Sequence, residues 1–82
     1  MGFAKQWVTE RIIQQHALTK SYIEHLVADA IEIQANGGVL TDEMNEEIKI
    51  QVEGVKVLVT EMARRGYYYD LSELKFKKET TE

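Results

Sequence analysis

The chain has 82 residues and a mass of 9.5 kDa, which is enough for at most one domain of ordinary size. Its 44% hydrophobic and 29% charged residues are typical of a globular chain and exclude a disordered one, which would carry too little apolar surface to offset its ordering entropy. A net charge of −4 disfavours a dedicated nucleic-acid binder, and the absence of cysteine excludes disulfides, thiolate zinc sites and thiol nucleophiles.

Small size is the first physical problem that this chain must solve. A single core in so short a chain adds little net stability, so small proteins usually add disulfides, a structural metal or a partner subunit. Disulfides are impossible here, and two histidines without cysteine make a poor metal site. We therefore expect self-association. No apolar run approaches the roughly 20 residues of a membrane span, and no signal segment is evident, so we expect a soluble cytoplasmic protein.

The first predicted element is a short amphipathic helix over residues 3–15. Phe3, Trp7, Val8 and Ile12 recur there at spacings that suit one helical face. Because a lone tryptophan in a small protein usually belongs to its core, we expect Trp7 to dock this helix on the rest of the domain.

The second predicted element is a helix over residues 19–36. Thr19 is a suitable N-cap, and Leu18 can pack on Ile23 as a hydrophobic staple. The Asn36-Gly37-Gly38 sequence ends the helix, since glycine adopts the left-handed cap conformation without a clash. Its apolar stripe consists of Tyr22, Ile23, Leu26, Val27, Ala30, Ile31 and Ile33.

The third predicted element is a helix over residues 42–65. Thr41 is its candidate N-cap, the carboxylates of its first turns suit the positive end of the helix, and Gly66 is a natural stop. Apolar residues at alternating spacings of four and three form a seam of the kind that packs helices together. We predict this seam as the oligomer interface: Ile48, Val52, Val55, Val59 and Met62.

A β-hairpin over residues 48–59 is the alternative for the same segment. Strict alternation on either side of Glu53-Gly54 favours it, and it places Ile50 and Val57 on the apolar face. The helix is favoured because the hairpin leaves the capped start and the glycine stop unused. On the helix, Ile50, Gly54 and Val57 form a second apolar strip that needs neighbours of its own, from the first helix or from another subunit.

The C-terminal tail over residues 66–82 is predicted to be irregular or extended. Residues 64–78 carry five basic and two acidic residues among aromatic ones. Tyrosine and arginine are typical of protein interface hot spots, although single-stranded nucleic-acid surfaces also mix cations with aromatics. We predict a protein-binding role for Arg64, Arg65, Tyr67, Tyr68 and Tyr69.

Catalytic and cofactor signatures are missing from the sequence. It holds no phosphate-binding glycine loop, nucleophile elbow or zinc-peptidase motif. His25 and Asp29 suit an exposed pair one helical turn apart rather than a metal or acid–base site. The acidic cluster is interpreted as a complement to the helix dipole and an aid to solubility; it consists of Asp42, Glu43, Glu46 and Glu47. We therefore expect no enzyme activity, no cofactor and no metal.

Together these features predict a single all-α domain over residues 1–82: a short N-terminal helix, an antiparallel helical hairpin and an irregular tyrosine-rich tail. The expected function is a non-enzymatic, homo-oligomeric protein-interaction module, an adaptor or inhibitory regulator that binds itself and another protein. One alternative is a helix-turn-helix-like DNA-binding regulator, which the acidic cluster disfavours by repelling phosphate. Another is a structural subunit of a larger particle.

Overall fold

A long helical hairpin followed by a small sheet makes up the fold. The computed structural model describes residues 4–79. Helix α1 spans Thr9–Ala35 and helix α2 spans Asp42–Arg64, and strands β1 (Tyr67–Asp70) and β2 (Lys75–Lys78) form an antiparallel pair. The mostly helical prediction is confirmed, and the sheet adds an element that the all-α expectation lacked. An α+β description also fits.

The N-terminal half departs from the prediction of two helices, at 3–15 and 19–36. Residues 4–7 form a turn and a bend, Val8 is extended at the N-cap, and α1 then runs without a break through residues 16–18; Phe3 lies outside the described residues. Thr19 does not cap a helix: it is buried in mid-helix, where its hydroxyl accepts a hydrogen bond from Gln15 Nε2 at 3.1 Å. Leu18, the predicted staple, is 66% exposed. Residues 9–35 contain no glycine or proline that would end the helix. Burial along one continuous helical face therefore outweighs the capping preference of Thr19.

The buried face of α1 follows a four-three spacing through the position where a break was predicted. The residues of this face, all buried or half-buried, are Ile12, His16, Thr19, Ile23, Leu26, Ala30 and Ile33. Two of the seven are polar, which hides the repeat from a search for apolar residues alone.

The turn between the helices agrees with its sequence signals. Gly37 has φ 82°, and the amides of Gly37 and Gly38 donate to the carbonyls of Gln34 and Ile33 at 3.0 and 2.8 Å. These two hydrogen bonds form a Schellman motif, which satisfies carbonyls that the end of a helix leaves free. Thr41 then caps α2 as predicted, since its Oγ1 accepts from the backbone amide of Met44 at 3.1 Å.

Helix α2 is confirmed, and the β-hairpin alternative at 48–59 is wrong because the whole segment is helical. The face that α2 buries is rotated from the predicted seam. Leu58, which the seam omitted, is 1% exposed, whereas Val52, which the seam included, is 37% exposed. The core cluster of Ala4, Ile12, Leu58 and Met62 lies where the N-terminal turn meets the two helices.

The C-terminal tail forms a β-hairpin, so of the two predicted options the extended one is confirmed for the two strands and the irregular one is wrong there. Tyr69 pairs with Phe76 across the strands, and both rings contact His16 of α1, with ring centroids 4.8 to 5.1 Å apart. The loop is held by Asp70, whose Oδ1 accepts from the amides of Ser72 and Glu73 at 2.8 and 3.1 Å. The hairpin therefore packs on α1 through aromatic contacts.

Neither α1 nor α2, the helices within residues 4–79, combines the length and the apolar character that crossing a membrane requires.

Candidate functional site

A largely apolar groove lies between α1 and α2, with Trp7 of the N-terminal turn in its wall. Its volume is about 400 Å³. The second apolar strip of α2 lies here: Ile50, Gly54 and Val57 line the groove together with Trp7. Trp7 also packs against the core cluster, as predicted, although it lies in the N-terminal turn and not in a helix. The lining residues, which we call the α2 groove, are Trp7, Gln15, Thr19, Ile50, Gln51, Glu53, Gly54, Val57 and Leu58.

Open space at Gly54 and exposure at Ile50 mark the middle of the α2 groove. A Cβ built on Gly54 meets no atom within 4 Å, and Ile50 is 53% exposed. Leu18, one turn beyond Gln15 on α1, is also exposed. A groove of this kind can bury apolar side chains of another molecule, and its walls offer no constellation of groups for acid–base or nucleophilic chemistry.

The five predicted oligomer-interface residues occupy different environments. Met62 is fully buried in the core of its own chain. Ile48, Val55 and Val59 are half-buried, and Val52 is exposed. In the single chain, Val52 is thus the most accessible residue of the predicted seam, and Met62 is inaccessible.

The predicted partner-binding residues also divide. Arg64 and Tyr68 are exposed, at 61% for the Arg64 side chain and 49% for Tyr68. Tyr67 packs against the core cluster, and Tyr69 contacts His16. Arg65, by contrast, is engaged within its own chain.

Arg65 binds the N-terminal turn to the end of α2. Its Nη2 donates to the backbone carbonyls of Ala4, Lys5 and Trp7 at 3.3, 3.2 and 2.6 Å, and its Nη1 donates to Thr9 Oγ1 at 3.0 Å. Its Nε donates to Glu61 Oε2 at 2.8 Å. We call this arrangement the Arg65 clasp. A guanidinium can serve so many acceptors at once because its donors diverge in one plane.

Glu61 has a buried carboxylate that accepts hydrogen bonds from two arginines, Arg64 and Arg65. It is 4% exposed and accepts from Arg64 Nη2 at 2.6 Å as well as from Arg65. These hydrogen bonds, from Arg64 first and Arg65 second, lower the pKa of Glu61 from 4.5 to about 2. The negative charge of Glu61 is therefore structural, and it orients Arg65 towards the N-terminal turn.

His16 is the other titratable group that is buried among the residues the structure describes. It is 6% exposed between α1 and the β-hairpin, and burial lowers its pKa below 6.5, with a smaller contribution from the charge of Lys20. The adjoining cavity of about 190 Å³ has Lys20 and Glu24, paired at 3.0 Å, together with Tyr69, in its wall. The acidic cluster lies apart from it on the first turns of α2, where Glu47 Oε2 accepts from the Tyr22 hydroxyl at 3.1 Å.

Within residues 4–79, no three or more His, Asp or Glu side chains come together in a way that could hold a metal ion. Comparisons of this chain with protein-family models, with curated proteins and with solved structures found no match. The α2 groove and the other exposed apolar surfaces are therefore the candidate functional sites of the described residues.

Proposed function

We propose that this protein is a non-enzymatic protein–protein interaction module, which self-associates and acts as a cytoplasmic adaptor or regulator of another macromolecule. The observation that carries the proposal is the amount of apolar surface that the two long helices leave uncovered. Each helix has one helical neighbour, so much of its circumference has nothing to pack against. The large hydrophobic side chains that are more than a third exposed within residues 4–79 are Val8, Ile13, Leu18, Tyr22, Val27, Ile31, Val39, Ile50, Val52, Tyr68, Leu71 and Leu74.

Exposed apolar area is unfavourable in water by about 25 cal/mol for each Å². Single exposed apolar residues are ordinary, but neighbouring ones on helix faces are typical of interaction surfaces. Val27 and Ile31 are one turn apart on α1, at 39% and 61% exposed, and Ile50 borders the α2 groove. These surfaces support association with protein, either a second copy or another chain.

The β-hairpin supports a separate contact with another protein. Leu71 and Leu74 at its tip are 79% and 60% exposed, and Tyr68 projects from β1. Arginine and tyrosine dominate the energetics of many interfaces, so Arg64 and Tyr68 remain our candidates for partner contact. The DNA-binding alternative is weaker because Asp42 and Glu43 occupy the first turn of α2, where they repel phosphate.

Size-exclusion chromatography with light scattering, over the micromolar concentration range, tests the self-association. A discrete small oligomer is the expected result. A particle that grows without limit as concentration rises would instead favour the structural-subunit alternative. A chain that stays monomeric throughout would contradict the proposal, as would tight binding to duplex DNA at low salt.

A further inference from the structure

A small cavity lies where the β-hairpin packs on α1. Its volume is about 190 Å³, and we call it the His16 cavity. Much of its wall is aromatic, because the rings of His16, Tyr69 and Phe76 contact one another with centroids 4.8 to 5.1 Å apart. Ile13 of α1 and Leu74 of the hairpin loop add apolar surface. An apolar cavity of about 150 Å³ is large enough to bind benzene, so the His16 cavity fits a single substituted ring.

His16 brings unused hydrogen-bonding groups to this cavity. The residue is 6% exposed, and its ring nitrogens make no hydrogen bond with the residues that the structure describes. Neither nitrogen is sealed inside the protein, since no fully buried side-chain nitrogen or oxygen of residues 4–79 lacks a partner. The free nitrogens therefore face the open space of the cavity. Ring packing does not need them, because phenylalanine would fill the same place without leaving polar atoms unpaired.

Leu74 is a second feature that packing within the chain does not explain. Its φ of 56° is a left-handed conformation, which is unfavourable for leucine. Its side chain lines the His16 cavity and yet is 60% exposed. Strained backbone of this kind occurs at ligand-binding sites, where it positions a side chain for the ligand. A ring in the cavity would cover the exposed part of Leu74.

The charges around the cavity favour a neutral polar group over an ion. Lys20 and Glu24 form an ion pair at 3.0 Å in the wall, so together they bring no net charge to it. Burial, and secondly the charge of Lys20, lowers the pKa of His16 below 6.5, so the imidazole is neutral at neutral pH. A neutral imidazole has one nitrogen that donates and one that accepts. A ligand hydroxyl can donate to the accepting nitrogen, whereas a carboxylate has no proton to donate and meets the charge of Glu24.

We propose that the His16 cavity binds a phenol ring, with the ring against Tyr69, Phe76 and Leu74 and the hydroxyl on a ring nitrogen of His16. The phenol belongs either to a tyrosine side chain of a partner protein or to a free small molecule, since both present the same ring and hydroxyl. The His16 cavity shares no lining residue with the α2 groove, and this inference does not depend on self-association.

Phenol, benzene and benzoate test the ligand class, because they share the ring and differ only in the polar group. Titration into the isotope-labelled full chain, followed by NMR chemical shifts, gives each dissociation constant. For phenol we expect a value on the order of 1 mM, as is usual for so small a ligand. Benzene, which lacks the hydrogen bond, and benzoate, which cannot donate one, are each expected to bind about tenfold more weakly.

Two substitutions in the wall test the assigned contacts. His16→Phe keeps the ring packing and removes both nitrogens, so we expect phenol to bind about tenfold more weakly and benzene to change less than about threefold. Circular dichroism checks that the variant folds. Leu74→Asn relieves the strained backbone and removes apolar wall, so we expect a more stable fold that binds phenol about threefold more weakly. A gain in stability with a loss of affinity separates binding from structural damage.

Two exposed alanines of α1 provide a matched pair. Ala17 lines the His16 cavity, and Ala28 does not. Side chains on a helix lean towards the preceding turn, so Ala17→Phe covers the cavity wall at Ile13. We expect Ala17→Phe to weaken phenol binding at least about tenfold, because its ring occupies the space of the ligand. Ala28→Phe is expected to change it less than about twofold.

N-acetyltyrosinamide distinguishes the two sources of the phenol. Binding at least as tight as that of phenol supports a tyrosine of a partner protein, and binding of phenol alone supports a free small molecule. The absence of a saturable shift with phenol overturns the inference. So does benzene or benzoate that binds as tightly as phenol, or phenol binding that His16→Phe and Ala17→Phe leave unchanged. None of these results bears on the oligomeric state, so the proposed self-association is tested separately.

Discussion

Replacing Arg65 by methionine isolates the energy of the Arg65 clasp. The substitution keeps most of the aliphatic stem and removes the donors to three backbone carbonyls, to Thr9 and to Glu61. Buried acceptors left without a donor cost about 1–3 kcal/mol each, and the turn at residues 4–7 relieves part of this by opening to water. We therefore expect a loss of about 2–4 kcal/mol, which for a domain of this size lowers Tm by roughly 10–30 °C.

Arg64→Met is the matched control, because Arg64 bonds the same carboxylate but lies on the surface. Its loss leaves Glu61 Oε1 without its donor, but all the bonds of Arg65 to the N-terminal turn remain, so we expect a fall in Tm that is smaller than that of Arg65→Met. Thermal unfolding followed by circular dichroism at one fixed protein concentration measures both variants. The emission of Trp7, the single tryptophan, reports separately on the N-terminal turn. Equal destabilisation by the two variants would refute the clasp as the element that holds this turn.

Four further predictions concern the buried groups and the loop of the β-hairpin. Because the pKa of His16 is lowered in the folded chain, the unfolded chain takes up a proton near pH 6.5 that the folded chain does not. The free energy of unfolding, measured in denaturant titrations, is therefore highest above pH 6.5 and decreases below it. His16→Phe is expected to remove this decrease. Glu61 contributes stability that is present above pH 4.5 and is lost towards pH 2, so Glu61→Gln shows a weaker acid transition over that window. In urea unfolding, Leu58→Ala is expected to lower the free energy of unfolding by about 2–5 kcal/mol, because Leu58 is buried. Leu74→Asn is expected to raise it by about 0.5–1 kcal/mol, because Leu74 has φ 56° and asparagine tolerates that conformation better. A stabilising Leu58→Ala would contradict the burial of Leu58, and a destabilising Leu74→Asn would contradict the strain at Leu74.

The sequence predicts those parts of the fold whose signals are local. Thr41 and the Gly37-Gly38 pair define the start of α2 and the end of α1, because a cap depends on backbone groups within a few residues. Thr19 carries the same kind of signal and fails, since its hydroxyl is satisfied within the helix and its side chain is buried. A capping residue permits a helix start, and tertiary burial decides whether one occurs.

The candidate site is predictable in part for the same reason. Periodicity alone identifies Ile50, Gly54 and Val57 as a second strip of α2, and the structure places them in the α2 groove. Periodicity cannot predict that Arg65 reaches a carbonyl 58 residues earlier in the chain. Such contacts depend on how the helices dock. The sequence predicts an extended tail but not the turn that pairs its strands, because Leu74 adopts a left-handed conformation that leucine rarely takes and the loop lacks the usual glycine or asparagine signal.

We propose that this chain covers its apolar helix surfaces with a second copy of itself. If the folded state is an oligomer, dilution shifts the equilibrium towards unfolded chains, so Tm depends on protein concentration. The most direct measurement is Tm by circular dichroism across a hundredfold dilution series, with sedimentation equilibrium on the same samples. We predict a Tm that falls on dilution and a mass that declines from about 19 kDa, twice the 9.5 kDa chain, towards that of one chain. A constant Tm and a constant mass of 9.5 kDa would contradict the claim.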